Sequence, residues 1–350
     1  MEIFLLLILL IFLIPLFDRQ TKGQNYIISR KLGFTYFVII FMILIPGLRD
    51  VSVGLDTLQY ESIYEKYSDS FWTYDTRLEY GYLIINKIVY DSLGSFYWLQ
   101  IITSMLFVIP LYWLSSRYSS KVWLSLLLFV IYAFYYMCFN EMRQCIAMGV
   151  SCFAFNYLVQ GDWKKFLIMV FLSCCFHHSA AILFPLVFIS RFDRLNYWHI
   201  VLLFLSFGVL SIFVSVIYNF LGSFQQITYG ENQTTGGYGL VALQIMTLTI
   251  AFYKRRDLFA DMENLYSFYF IACAVVIFPV CHINPVMFRL EQYLWLPMII
   301  LIPNILSSFK NSIIRKLGIL IYVVIGYFFL FIFVFSEKNQ IVPYYFFFSK

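Results

Sequence analysis

Apolar stretches long enough to cross a bilayer recur along the whole chain, and short polar loops separate them. A transmembrane helix needs roughly 17–25 apolar residues, and such helices satisfy their own backbone hydrogen bonds in lipid. Charged residues make up only 12% of the 350 residues, against about 25% in soluble domains. The sequence therefore predicts an all-α polytopic integral membrane protein, with residues 1–350 forming a single membrane-embedded unit.

Hydropathy predicts about 12 transmembrane helices, within a range of 10–12. The spans are 2–17, 33–48, 97–115, 122–139, 144–159, 166–176, 179–190, 199–218, 238–253, 265–281, 291–306 and 317–335. The first span imitates a signal sequence, but it has no basic segment before it and no small-residue cleavage site, so a retained helix is predicted. Residues 166–190 form either one helix or two short helices that turn at Phe176-His177-His178-Ser179.

The distribution of basic residues decides the topology. With an outer N-terminus and 12 spans, one side of the membrane holds 16 of the 24 Lys and Arg residues. Its loops are 18–32, 116–121, 160–165, 191–198, 254–264 and 307–316. Short loops rich in Lys and Arg stay cytoplasmic. A single helix over 166–190 would put Lys254, Arg255 and Arg256 outside, so two short helices are preferred. Their turn at the two histidines is either a wet cavity or an ordinary hairpin at the membrane surface.

Two longer segments lie on the outer side, at 49–96 and 219–237. The first holds eight acidic and four basic residues. Its stretch from Tyr80 to Leu93 is amphipathic, as expected of a helix that lies at the interface or dips into the membrane. The second is rich in Gly, Asn, Gln and Thr, which is typical of a mobile loop and suits hydrogen bonding to a sugar.

Cysteine usage and the missing nucleotide motifs exclude several classes of protein. Seven cysteines, an odd number, lie mostly in apolar spans without metal-ligand spacing, so neither a disulfide framework nor a metal is expected. The net charge of +5 follows from the orientation bias, and no basic stripe indicates nucleic-acid binding. There is no phosphate-binding loop and no dinucleotide fingerprint, which argues against ATP or a nucleotide sugar as substrate.

Four polar clusters fall on the outer side. They are Arg49-Asp50 with Gly54, Asp56, Thr57 and Tyr60; Asn140-Glu141 with Arg143 and Gln144; Phe176-His177-His178-Ser179; and Arg289-Leu290-Glu291-Gln292-Tyr293. Charged groups at hydrocarbon depth are costly and usually mark function.

Each cluster also has a structural explanation. Asp56 and Thr57 fit a helix cap, and Glu141 with Arg143 fits mutual neutralisation near the interface. A membrane histidine can be a structural hydrogen-bonding group, and Arg289 fits snorkelling beside an interfacial tyrosine.

Together the clusters fit a site for a lipid-linked pyrophosphate and a sugar. Arginine forks bind a diphosphate in two-pronged fashion and stabilise its charge as it leaves. A carboxylate or a histidine would deprotonate the acceptor hydroxyl. Glu79, Glu141, Asp56 and His177 are all candidates for this base.

The same residues resemble the EpsG family, a branch of the bacterial Wzy-type O-antigen and exopolysaccharide polymerases. The resemblance rests on short motifs that occur in order along nearly the whole chain. They are Arg49, Val53-Gly54-x-Asp56-Thr57-x-x-Tyr60, Glu79-x-Gly81-Tyr82, Asn140-x-x-Arg143-Gln144-x-x-Ala147, His177-x-Ser179-Ala180, Arg289-x-x-x-Tyr293 and the closing Val342-Pro343-Tyr344.

The resemblance implies a polymerase in the bacterial inner membrane that acts on undecaprenyl-diphosphate-linked oligosaccharide repeat units at the periplasmic face. The growing glycan would pass to the next lipid-linked unit, yielding O-antigen, capsule or exopolysaccharide. The family likeness also implies a GT-C-like helical bundle, no metal and no cofactor, with membrane lipid and a chain-length regulator of the same pathway as further partners.

Carried over by position, Arg49, Arg143, His177 and Arg289 match motif residues of the family, whereas His178 falls at an open position. The expected catalytic residues are Arg143, Arg289, His177, Glu141 and Glu79. The expected substrate-binding residues are Arg49, Asp56, Thr57, Tyr60, Asn140, Gln144, His178 and Tyr293. Two other functions stay open: an O-antigen ligase, with the same donor chemistry, and a flippase for lipid-linked oligosaccharide, although no internal repeat supports transport.

Overall fold

The computed structural model is predominantly helical, and it describes residues 2–18, 20–22, 27–29, 33–69, 78–213, 216, 237–281, 285–334 and 340–348. The α-helices are α1 Glu2–Phe17, α2 Gly33–Gly47, α3 Thr57–Asp69, α4 Tyr80–Leu93, α5 Phe96–Tyr118, α6 Val122–Ile131, α7 Met137–Asn140, α8 Met142–Val159, α9 Trp163–Cys174, α10 Tyr197–Ile212, α11 Tyr238–Tyr253, α12 Arg255–Leu258, α13 Met262–Cys281, α14 Pro285–Trp295, α15 Met298–Ser308 and α16 Ser312–Val334. Two 3₁₀ segments cover Phe134–Tyr136 and His178–Arg191. Two short strands, β1 Gln20–Lys22 and β2 Ile27–Ser29, pair antiparallel.

Four helical stretches of the described chain are long and apolar enough to cross a membrane, namely Phe96–Tyr118, Met262–Cys281, Met287–Ser308 and Ser312–Phe333. A fifth is present if Val122–Ile131 and Phe134–Asn140, which meet at 62°, form one broken span. Several other predicted spans are apolar helices of 10–17 residues, shorter than the length that crosses a bilayer upright. The helical membrane class is confirmed, but the full count of 12 spans is not. The predicted loop 219–237 lies outside the described residues.

Large apolar side chains cover much of the outside of the bundle. Phe204 on α10 is 74% exposed and Phe328 on α16 is 63% exposed. In water such a surface would aggregate, whereas lipid chains are as apolar as these side chains and solvate them. The surface of the helices is therefore that of a membrane protein, and buried polar contacts have to supply much of the specificity between helices.

The predicted break at the two histidines is present. Helix α9 ends at Cys174, and the next segment begins at His178 as a 3₁₀ helix instead of an α-helix. The backbone N–H of His177 donates to the carbonyl of Ser173 at 3.1 Å. The N–H of His178 donates to the Glu79 carboxylate at 3.2 Å, so a side chain from another helix stabilises the break.

Helix α4 has the bounds of the predicted amphipathic stretch, and its first turn packs directly on this break. The N–H of Gly81 donates to the carbonyl of Cys175 at 2.9 Å. A Cβ at Gly81 would lie 2.6 Å from that carbonyl oxygen, so only glycine allows this approach. The start of α4, which carries Glu79, is thereby held against the histidines.

Several of the basic loops meet at a common end of the bundle. Asn304 accepts from the N–H of Ser120 at 2.7 Å and donates to Asn264 at 2.7 Å. The ammonium of Lys254 lies 4.6 Å from the ring centre of Phe309. These contacts join loops 116–121, 254–264 and 307–316, which were predicted to share the cytoplasmic side.

A reporter fused after Arg256 is expected to indicate a cytoplasmic location, because this basic loop lies with the other Lys- and Arg-rich loops. A paired fusion within residues 219–237 should report the opposite side. Alkaline phosphatase and fluorescent-protein fusions would measure both. A periplasmic signal after Arg256 would contradict the topology.

Candidate functional site

Glu79 is the centre of the candidate site. It precedes the first turn of α4 and is only 4% exposed. Its Oε2 accepts a hydrogen bond from Nη1 of Arg143 on α8 at 2.5 Å, and its Oε1 lies 3.0 Å from Nδ1 of His177. Burial opposes ionisation, but the hydrogen bond to His177 and the charge of Arg143 outweigh it and lower the pKa of Glu79 to about 2. Glu79 is therefore a fixed anion that orients two cation-forming side chains.

His177 is held in one orientation by this carboxylate. Burial lowers its pKa below the usual 6.5, although the Glu79 carboxylate acts in the opposite direction. At neutral pH the ring is then mostly neutral, and its Nδ1–H donates to Glu79. Nε2 keeps its lone pair, so the ring can accept a hydrogen bond or a proton there.

We expect any activity of this site to fall on the acid side of neutrality as His177 becomes protonated. Since burial depresses the pKa, the loss should begin below about pH 6.5. His177→Gln keeps a donor toward Glu79 but cannot titrate, so its activity should be lower and its acid limb flat. Rates in isolated membranes between about pH 5 and pH 8 would measure this. An unchanged acid limb in His177→Gln would contradict a titrating role.

Arg143 has a second polar neighbour in Tyr60 of α3. The Tyr60 hydroxyl lies within hydrogen-bonding reach of the guanidinium, and the Tyr60 ring packs edge-on against Tyr82 with 5.7 Å between centroids. The Nε of Arg143 is buried and has no hydrogen-bond partner among the described residues. The guanidinium is thus positioned by Glu79 and Tyr60.

Glu141 and Arg289 form a second, looser pair beside the first. Nε of Arg289 lies 3.8 Å from Oε1 of Glu141, and their side chains are 33% and 20% exposed. Burial raises the pKa of Glu141, while the charge of Arg289 opposes the rise. Its Oε2 has no hydrogen-bond partner within the described part of the chain. Glu141 is therefore a better proton acceptor than Glu79.

Gln144 and Asp56 belong to the same neighbourhood. Nε2 of Gln144 donates to the carbonyl of Arg289 at 3.0 Å and to Oε1 of Gln292 at 2.6 Å, which ties α8 to α14. Burial raises the pKa of Asp56, and the charges of Arg289 and Arg143 oppose that rise. Asp56 therefore lies within the electric field of both arginines.

Arg49 takes a different place from the one expected. It is completely buried, and its guanidinium donates to the carbonyls of Val53 at 3.2 Å, Phe139 at 3.3 Å and Pro46. Burial lowers its pKa to about 10, which leaves it charged at neutral pH. Because backbone carbonyls use these donors, Arg49 holds the loop after α2 against α7. It does not join Arg143 and Arg289 at the candidate site.

Thr57 and Asn140 share this supporting arrangement. The Thr57 hydroxyl donates to the carbonyl of Val53 at 2.7 Å, and Oδ1 of Asn140 accepts from the N–H of Leu55 at 2.8 Å. Gly54, which lies between Val53 and Leu55, has φ +97°, and a Cβ there would lie 2.5 Å from the carbonyl oxygen of Phe139. The first polar cluster, from Arg49 to Tyr60, therefore contains a tightly packed turn that positions Asp56 and Tyr60.

His178 and Tyr293 lie on opposite sides of the histidine break. The His178 side chain is 75% exposed, with Nδ1 3.4 Å from Oε1 of Glu79. Tyr293 is 2% exposed, and the hydroxyl of Ser179 donates to its oxygen at 3.4 Å. Only His178 of the two is open to a ligand; Tyr293 anchors the break to α14.

The C-terminal segment supports the first polar cluster, from Arg49 to Tyr60. The spacing of the sequence motifs did not predict this role. The N–H of Asp50 donates to the carbonyl of Tyr345 at 2.9 Å, and the N–H of Gly54 donates to the carbonyl of Gln340 at 2.8 Å. The Tyr344 hydroxyl donates to the carbonyl of Ile45 at 2.6 Å. The closing Val342-Pro343-Tyr344 was the only sequence signal that this tail mattered.

Glu291 was grouped with Arg289 by sequence, but the structure separates them. Glu291 is completely buried, and its Oε1 accepts from Nε2 of Gln244 on α11 at 2.7 Å. Glu291 therefore connects α14 with α11 and takes no part in the ion pairs of Arg143 and Arg289. No cluster of three or more His, Cys, Asp or Glu side chains suited to a metal ion occurs in the described part of the chain.

Comparison with known proteins gives one match. A family model described as the EpsG family matches residues 32–346, which includes all four polar clusters and the C-terminal segment. The searches of curated proteins and of solved structures gave no match.

Proposed function

The chain belongs to the EpsG family, which indicates a polysaccharide polymerase-like role, and we propose that it polymerises lipid-linked oligosaccharides. The donor would be the growing glycan on undecaprenyl diphosphate, and the acceptor would be the next lipid-linked repeat unit. The reaction would take place at the periplasmic face of the bacterial inner membrane. The observation that carries this proposal is the pairing of Arg143 with Glu79 and of Arg289 with Glu141 in one polar neighbourhood.

Arg289 and Arg143 are the groups that would bind the diphosphate. The side chain of Arg289 is one-third exposed and its carboxylate partner is 3.8 Å away, so its fork is free to turn to a phosphate. Arg143 is held more firmly by Glu79, and its side chain is 22% exposed. Planar guanidinium groups bind phosphate oxygens through two parallel hydrogen bonds and stabilise charge that develops on a leaving group.

Glu141 is the proposed general base, with Asp56 as the second candidate. The acceptor hydroxyl would lose its proton to the Glu141 carboxylate, whose side chain is 20% exposed, as the hydroxyl oxygen bonds to the anomeric carbon. The bond from that carbon to the diphosphate oxygen breaks, and the diphosphate leaves with the electron pair. Because burial raises the pKa of Glu141, it is a stronger base than Glu79, whose pKa is about 2.

Glu79 and His177 would then position the site. Glu79 fixes Arg143 and the neutral form of His177, whose Nε2 can accept a hydrogen bond from a sugar hydroxyl. Arg49, Thr57 and Asn140 hold the turn that carries Asp56 and Tyr60. Gln144 and Tyr293 keep α8, α14 and the histidine break together.

The test is a gel of lipid-linked and surface glycan from cells that lack the gene. Deletion should collapse a ladder of chain lengths to single repeat units, and the wild-type gene should restore the ladder. Complementation with Glu141→Gln should leave single units, because an amide cannot accept the proton. A full ladder retained on the lipid carrier but missing from the surface would indicate a ligase. Loss of all periplasmic lipid-linked units would indicate a flippase.

A further inference from the structure

Gln292 lies beside the proposed base Glu141 and has no role in the mechanism above. It follows Arg289 by three residues on α14, so the two side chains share one face of the helix. Nε of Arg289 lies 3.8 Å from Oε1 of Glu141, and the Gln292 side chain offers the same carboxylate a hydrogen bond. Glu291, which precedes Gln292, contacts Gln244 on α11 instead. One face of α14 therefore presents a cation and an amide to Glu141.

Gln144 fixes which end of the Gln292 amide faces Glu141. Nε2 of Gln144 donates to the backbone carbonyl of Arg289 at 3.0 Å and to Oε1 of Gln292 at 2.6 Å. A backbone carbonyl oxygen can only accept, so the Gln144 atom at this position is the amide nitrogen, and both of its N–H groups are used. The oxygen of Gln292 then faces Gln144, and its NH₂ group is left for Glu141. A reversed amide would place two NH₂ groups together and an oxygen against the carboxylate.

The hydrogen bond from Gln292 favours the ionised form of Glu141, which is the form that can accept a proton. Burial raises the pKa of Glu141, whereas the charge of Arg289 and the hydrogen bond from Gln292 lower it. A carboxyl group that is already protonated cannot act as a general base. Arg289 is also the proposed ligand of the diphosphate, so Gln292 is the partner that stays with Glu141 when Arg289 turns to the phosphate.

We propose that Gln292 is a positioning residue that orients the Glu141 carboxylate and stabilises its negative charge. The inference rests on the proposed function for the role of Glu141 as the base, and it adds a group that acts through Glu141. Loss of the Gln292 donor should therefore move the protonation of Glu141 to higher pH without removing a proposed ligand of the diphosphate.

Other charged and titratable groups near Glu141 have to be separated from this effect. Besides Arg289 they are Asp56 before α3, Tyr293 on α14 and Cys145 on α8. A thiol and a tyrosine hydroxyl ordinarily ionise above about pH 8, so of these three groups Asp56 is the one that titrates in the range of a carboxyl. The titration of Glu141 is therefore measured both in the otherwise wild-type protein and in Asp56→Asn, and the shift should appear in both.

The experiment measures the protonation of Glu141 directly, in full-length protein in lipid nanodiscs. Infrared difference spectra of protein with isotope-labelled glutamate follow the carboxyl bands against pH, and the band of Glu141 is the one missing from Glu141→Gln. Gln292→Leu should raise the midpoint of this titration by about one pH unit, because a hydrogen bond to a charged group is lost. Gln292→Glu should raise it further, since this variant keeps the bond from Gln144 but turns an acceptor toward the carboxylate.

Gln244→Leu is the matched control. Gln244 also donates to a carboxylate on α14, that of Glu291, at 2.7 Å, so its loss perturbs the same helix without removing a contact of Glu141. The midpoint of Glu141 should not move in this variant. An unchanged midpoint in both Gln292 variants, or an equal shift in Gln244→Leu, would overturn the proposal.

The infrared titration does not depend on polymer formation. Rates of chain extension are measured in parallel in the His177→Gln background, where the histidine no longer titrates, and their loss at low pH should move with the midpoint of Glu141. A shifted midpoint with an unmoved rate profile would overturn the positioning role. A shifted midpoint without gene-dependent glycan chains would refute the polymerase and retain the effect of Gln292 on Glu141. A gene-dependent ladder with an unshifted midpoint would refute the role of Gln292 and retain the polymerase.

Discussion

Replacing Arg289 by alanine is expected to abolish chain extension while the protein stays in the membrane at normal levels. Arg289 is the more open of the two site arginines, and its single described carboxylate contact is long, at 3.8 Å. Its removal should therefore disturb the fold little and the bound diphosphate greatly. Loss of one donor to a developing oxyanion costs about 10²–10³-fold in rate, which on a glycan gel leaves single repeat units.

The lysine variant and a remote arginine provide the controls. Arg289→Lys should recover only a small part of the activity, because a point charge cannot replace a two-pronged fork. Arg256 is exposed on the short helix α12, in the basic segment 254–264 that is predicted to lie on the opposite side, so Arg256→Ala and Arg256→Lys should both extend chains normally. Membrane abundance is measured in parallel by immunoblot. Normal long-chain polymer from Arg289→Ala would remove Arg289 from the diphosphate site.

Glu79→Gln is expected to have the largest effect on stability. The change leaves the Arg143 guanidinium, 22% exposed, without its carboxylate, and it weakens the anchor of the histidine break. Breaking a buried ion pair by removing one partner costs about 3 kcal/mol or more. Thermal unfolding in detergent should show this loss, and chain extension should fall because Arg143 and His177 lose their orientation.

The pH dependence of stability gives an independent check on Glu79. Its pKa falls from 4.5 to about 2 on folding, equivalent to about 3 kcal/mol. A depressed pKa stabilises the fold fully above about pH 4.5, and this stabilisation is lost as the pH falls toward 2. The difference in the free energy of unfolding between wild type and Glu79→Gln should therefore shrink as the pH falls from about 4.5 to 2.

The matched control lies on the same helix. Asp91 pairs with Lys87 at 2.8 Å and is 54% exposed, so Asp91→Asn should change the free energy of unfolding by less than about 1 kcal/mol. A double-mutant cycle of Glu79→Gln with Arg143→Gln should give a coupling energy well above zero. Additive effects in that cycle would contradict the ion pair as the source of the stability.

The sequence by itself determined the membrane class, the bounds of α4 and the break at the histidines. Each of these depends on local properties: the length of an apolar run, an amphipathic period, and the cost of polar groups at membrane depth. The full set of 12 spans did not follow in the same way. Several apolar stretches fold into helices of 10–17 residues, whose placement depends on neighbouring helices and not on hydropathy.

Only the tertiary structure decided which partner each polar side chain has. Glu79 and Arg143 are 64 residues apart along the chain, and Glu79 and His177 are 98 apart, so no local spacing predicts these contacts. Arg49 and Arg289 both belong to the polar clusters predicted from the sequence, yet one donates to backbone carbonyls at full burial and the other is one-third exposed. The energy of a charge depends on its solvation and its partners, and both are set by the packing of helices distant in sequence.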